Sequence, residues 1–96
     1  MDVNIRALRA RAPEKLERYH EIARLLTGKP HATAPDGVTF VADLCRELEI
    51  PPLRTYGVTH SDLALLAEKA AQSSSMKGNP IVLNGEELCE IVSHSL

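Results

Sequence analysis

The chain has 96 residues, a formal net charge of −2 and 44% apolar and 25% charged side chains, which predicts one small globular domain spanning residues 1–96 and leaves no room for a second. No apolar run approaches the roughly 20 residues of a membrane span, and no apolar stretch follows the N-terminal arginines as in a secretory leader, so a cytoplasmic setting without membrane contact is expected. Its five glycines never approach the spacing of G-x-G-x-x-G or of a P-loop, so no backbone cradle for a nucleotide phosphate is encoded.

Hydrophobic periodicity predicts helices along the chain. A short one covers residues 3–10, with Ile5 and Leu8 on one face. The next covers 13–27, where Leu16, Tyr19, Ile22, Ala23 and Leu26 recur at three- and four-residue steps, with Pro13 in the first turn and Gly28 at the stop. A third, over 34–49, has the stripe Val38, Val41, Leu44, Cys45, Leu48. Thr33 and Asp36 form its capping pair, and Ile50-Pro51-Pro52 ends it because the residue before proline avoids the α region.

The last two helices are announced by paired local signals. Thr59 with Asp62 makes a capping box for 59–72, and Val58 and Leu63 are placed as a hydrophobic staple. Asn84 with Glu87 repeats the arrangement for 84–95, with Leu83 and Leu88 as the staple. Between them lies the polar loop 73–80, Ser-Ser-Ser-Met-Lys-Gly-Asn-Pro, and residues 80–83 are candidates for a short extended segment. No period-two alternation marks a longer strand. The expected architecture is a bundle of four to five helices.

Candidate chemistry is sparse. His20, His31, His60 and His94 pair with no second ligand at metal-binding spacing, which favours structural or solvated roles. Cys45 falls on an apolar stripe and Cys89 beside one. Neither sits at a helix start that would lower its pKa, so both read as small hydrophobes. Residues 1–29 carry seven Lys/Arg against four acids, but the charges are interleaved and aromatics are few, which disfavours nucleic-acid binding. Glu86, Glu87 and Glu90 suit the dipole of the last helix without any acid-base role. Only the loop 73–80 resists a purely structural account. Its hydroxyls, lysine and Asn-Pro turn suit either a polar ligand or a flexible linker.

The ordered set L-x-x-Y-x-x-I-A-x-L-L-T-G (16–28), LCRELEIPPLRTYGV (44–58), the helix start Thr59-His60-Ser61-Asp62-Leu63, and SSSMKGNPIVLNGEELCEIV (73–92) resembles the C-terminal end of iron-containing, group III, alcohol dehydrogenases. Even Met1-Asp2-Val3-Asn4 is similar to the V-M-x-F-N segment that follows that family's last metal ligand, with Val3 in place of the aromatic. The resemblance implies a two-domain NAD(P)-dependent oxidoreductase whose helical domain holds Fe or Zn through an Asp and three His, all upstream of the part represented here. The four histidines of this chain are then not those ligands, and the chain by itself carries no catalytic, metal-binding or cofactor-binding residue. By the same resemblance, Ser75, Met76 and Asn79 would line the substrate side of the cleft, Ser75 standing where some members have Cys. The expected partners are the remainder of the parent enzyme, or a second copy covering exposed helix faces. The competing expectation is a free-standing helical interaction module. Exposed apolar residues on helix 3–10 or 59–72, with Leu65 as a reporter, would favour the partial enzyme.

Overall fold

A computed structural model describes residues 1–96 and contains five α-helices, four short 3₁₀ turns and no strand. The expected all-α class is therefore correct. Contacts divide the chain into two compact units, Met1–Ile50 and Pro51–Leu96.

The first unit is built around α1 (Asp2–Arg11), where Val3, Ile5, Ala7 and Leu8 are all buried. Burial thus extends beyond the single face that Ile5 and Leu8 define. Leu8 is fully enclosed, worth about 1.5–3 kcal/mol in transfer free energy relative to exposure. Pro13 does not open an α-helix, as the periodicity suggests. It opens a 3₁₀ turn, Pro13–Lys15, held by Lys15 N–H to Ala12 C=O at 3.0 Å and Leu16 N–H to Pro13 C=O at 3.1 Å. The α-helix proper, α2, is Glu17–Thr27, and it stops at Gly28, whose φ of 70° is free of strain only because glycine lacks a Cβ.

Helix α3 (Ala34–Glu47) begins at the predicted capping box of Thr33 and Asp36. Its end differs from expectation. The chain leaves the helix before the prolines, through a Schellman arrangement in which Ile50 N–H reaches Cys45 C=O and Glu49 N–H reaches Arg46 C=O, both at 3.1 Å. Glu49 takes the left-handed position this requires, φ 54°, where glycine would be unstrained.

The contact between α2 and α3 is made by small residues. Ala23, Ala34 and Gly37 are buried, and a Cβ on Gly37 would lie 3.1 Å from the Ala23 Cβ. The large residues of both predicted stripes are mostly outside this contact. Ile22, Leu26 and Leu44 are partly exposed, Leu25 is 84% exposed and Leu48 63%. Close approach through small side chains leaves the flanking leucines no floor to pack on within these fifty residues.

In the second unit, a 3₁₀ turn at Leu53–Tyr56 closes on Gly57 in the left-handed region, and Leu53 N–H donates to Ser95 C=O at 2.8 Å, tying the unit's beginning to its end. The Thr59/Asp62 box is present, but it starts a 3₁₀ turn, His60–Asp62, which leads into α4 (Leu63–Gln72). The Asn84/Glu87 box starts α5 (Gly85–His94), which packs on α4. Ala67, Leu83 and Leu88 are its buried apolar residues, so the staple pair Leu83/Leu88 is a core pair. Leu65 is 53% exposed on α4.

Candidate functional site

The segment between α4 and α5 is more ordered than a loop reading suggests. Ser74–Gly78 form a 3₁₀ turn, with Met76 N–H bonded to Ser73 C=O and Asn79 N–H to Met76 C=O, each at 3.1 Å. The Ser73 and Ser75 hydroxyls share a hydrogen bond of 2.8 Å. Asn79 Nδ2 donates to Ile81 C=O at 2.7 Å, an Asx-type contact that turns the chain at Asn79-Pro80. Residues 80–83 then form bends and irregular backbone, with no strand.

This turn roofs a groove of about 300 Å³ whose lining includes Gln72, Met76, Lys77, Leu83 and Leu88. Of the three residues the resemblance singles out, only Met76 lines it. Ser75 is exposed and Asn79 half-buried, each engaged in the local hydrogen bonds just described. Gln72, Lys77 and the staple leucines are contributors that the family pattern does not suggest. Lys77 stands inside the segment singled out on composition, and Leu83 and Leu88 were legible as a pair, but that they face one groove depends on how α4 and α5 pack.

The histidines lie apart in function. The Nδ1 of His20 accepts the Ala34 N–H at 2.9 Å, satisfying one of the orphan donors at the start of α3. His94 Nε2 is 3.8 Å from Glu90 Oε1 near the end of α5, and His31 and His60 are exposed. Cys45 and Cys89 are free thiols and only half-buried, and the Cys89 thiol points at Leu63 C=O from 3.9 Å. Two carboxylates elsewhere are held below their ordinary range. Arg24, hydrogen-bonded at 2.7 Å, does this for Glu17. Asp36 owes it to the Thr33 backbone N–H at 2.8 Å and then to the Thr33 hydroxyl at 3.0 Å. Both are structural contacts on the surface.

A family model described as Fe-containing alcohol dehydrogenase family, C-terminal, matches residues 4–96. The chain belongs to the Fe-containing alcohol dehydrogenase family. Comparison with curated proteins and with solved structures gave no match. The donor set of this Fe-containing alcohol dehydrogenase chain does not fit the family's metal, because no three His, Cys, Asp or Glu side chains gather where an ion could be held. The chain has no strand and so no strand-to-helix turn of the kind that holds a pyrophosphate in α/β folds. No helix is long and apolar enough to cross a membrane.

Proposed function

We propose that this chain acts as the C-terminal helical part of an NAD(P)- and metal-dependent oxidoreductase, covering one side of a cleft whose nucleotide and metal are held by other parts of the enzyme. The observation that carries this reading is the distribution of apolar side chains. Leu8 is the only large side chain fully enclosed, while Leu25, Leu48, Ile50, Leu65 and Val82 stand more than half exposed. These side chains offer apolar surface in both units that the rest of a larger enzyme would cover. Full burial of the helix stripes would have favoured the free-standing interaction module.

In that setting a metal and a nicotinamide held by other parts of the enzyme would supply the polarisation of a substrate oxygen and the hydride chemistry. The contribution of these residues is to shape the cleft and exclude water, with Ser75, Met76 and Asn79 nearest the substrate side. Alone, the chain is catalytically silent, works in the cytoplasm only as part of the enzyme or a homo-oligomer, and binds no nucleic acid. The test is a fluorescence titration of the 96-residue chain with NADH and NADPH, together with its metal content after exposure to Fe(II) and Zn(II). No saturable cofactor binding and no stoichiometric metal are expected. Tight binding of either would overturn the reading.

A further inference from the structure

We infer that the groove between the end of α4 and the start of α5 binds a small amphiphilic carboxylate, a medium-chain fatty acid anion. The groove belongs to the chain by itself, every lining residue lying between Ala71 and Leu88 of one compact unit, and where the parent enzyme covers Val82 the ligand and that cover compete for it.

The floor is apolar. Leu83 and Leu88 are buried beneath it, Met76 and Ile81 are half-buried along it, and Val82 stands 90% exposed at its rim. An alkyl chain laid here removes its own surface and that of these side chains from water, and the thioether of Met76 adapts to an irregular ligand. Three polar side chains border the floor, Gln72, Ser73 and Lys77, and the Ser73 hydroxyl is taken up by Ser75 at 2.8 Å. The side chains of Gln72 and Lys77 have no hydrogen-bond or ion-pair partner, and what sets Lys77 apart is the apolar floor beside it. Lys77 is therefore a cation beside an apolar surface with nothing to neutralise it.

These properties select the ligand. A neutral hydrocarbon would cover the floor and leave the ammonium unmatched. Inorganic phosphate would answer the charge and leave the floor wet. A carboxylate on an alkyl chain answers both, the ammonium of Lys77 and the amide N–H of Gln72 donating to its oxygens. The volume, about 300 Å³, lies at the small end of the range for organic ligands, which suits octanoate rather than a long-chain lipid.

The test is titration of the full chain with octanoate and, in parallel, with octanol, followed by amide NMR shifts. Octanoate is expected to move the signals of residues 72–77 and 81–88, and octanol to bind the same residues about tenfold more weakly, the worth of one charge-assisted hydrogen bond. Lys77→Gln, a change at an exposed position, is expected to weaken octanoate about tenfold and leave octanol unchanged. Val82→Asp, which places a like charge at the rim, should weaken octanoate more than octanol. Equal affinity for the two ligands, indifference of octanoate to Lys77→Gln, shifts spread over α1 to α3, or no shift at millimolar ligand would each overturn the proposal.

Discussion

The two halves of this molecule solve the same packing problem with different means. Residues 1–50 bury Val3, Ile5, Ala7 and Leu8 of α1 and bring α2 and α3 together through Ala23 and Gly37. Residues 51–96 enclose only Ala67, Leu83 and Leu88 and rely on capping boxes, 3₁₀ turns and the Leu53 to Ser95 bond for their shape. Both halves use capping boxes and 3₁₀ turns, but the first encloses more apolar side chains than the second. A chain of this size cannot enclose two full cores, because too little of its surface is removed from water on folding.

The contrast predicts unequal responses to truncation. Leu8→Ala should cost about 2–5 kcal/mol in urea unfolding, from lost transfer energy and the cavity left behind. Leu65→Ala on α4, half exposed, should stay within about 0.5 kcal/mol in the isolated chain. Equal losses would mean that the enclosure of Leu8 and the exposure of Leu65 do not set their contributions.

Glycines sharpen it. Gly37→Leu should cost about 1–3 kcal/mol, since any side chain there meets Ala23, including its Cα at 3.3 Å, and Met1 Cε at 3.0 Å. Gly85, in the first turn of α5 with open space around it, should tolerate Ala with a gain of about 0.4–1 kcal/mol, read as a rise in Tm. A further gain is expected at the end of α3. Glu49→Gly should stabilise by about 0.5–1 kcal/mol by relieving a left-handed backbone that Gly28 already occupies without strain after α2.

The smallest effect concerns pH. The Asp36 carboxyl is held below its ordinary range by Thr33, so the folded state binds fewer protons there than the unfolded chain. That contribution is fully present above the ordinary carboxylate range and is lost as pH falls through the lowered value. Thermal unfolding of Asp36→Asn should accordingly show a flatter acid limb than the parent between about pH 5 and pH 2. An unchanged limb would mean that the box at α3 does not contribute this linkage.

Helix starts were the most legible feature of the chain. Thr33/Asp36, Thr59/Asp62 and Asn84/Glu87 each form the box their spacing predicts, because a capping box needs only four consecutive residues and no distant partner. Helix ends and the first turns after proline were less so. Pro13 and Thr59 open 3₁₀ turns where an α-helix was expected, and α3 ends at Glu47 through Glu49, a residue with no special preference for the left-handed region. The candidate site was half legible. Composition pointed to 73–80 and the resemblance to Met76, but Ser75 and Asn79 spend their side chains on the turn itself, and the groove also needs Leu83 and Leu88 from across the unit.

The amino-acid sequence by itself determined the helical class, the places where helices begin and, through its ordered motifs, membership of the Fe-containing alcohol dehydrogenase family. Only the tertiary structure decided which apolar residues are enclosed. Periodicity marks every face able to be buried, whereas burial requires a partner surface close enough to exclude water. Ala23 and Gly37 let α2 and α3 approach each other, and the leucines beside that contact, Leu25 and Leu48 among them, remain at the surface.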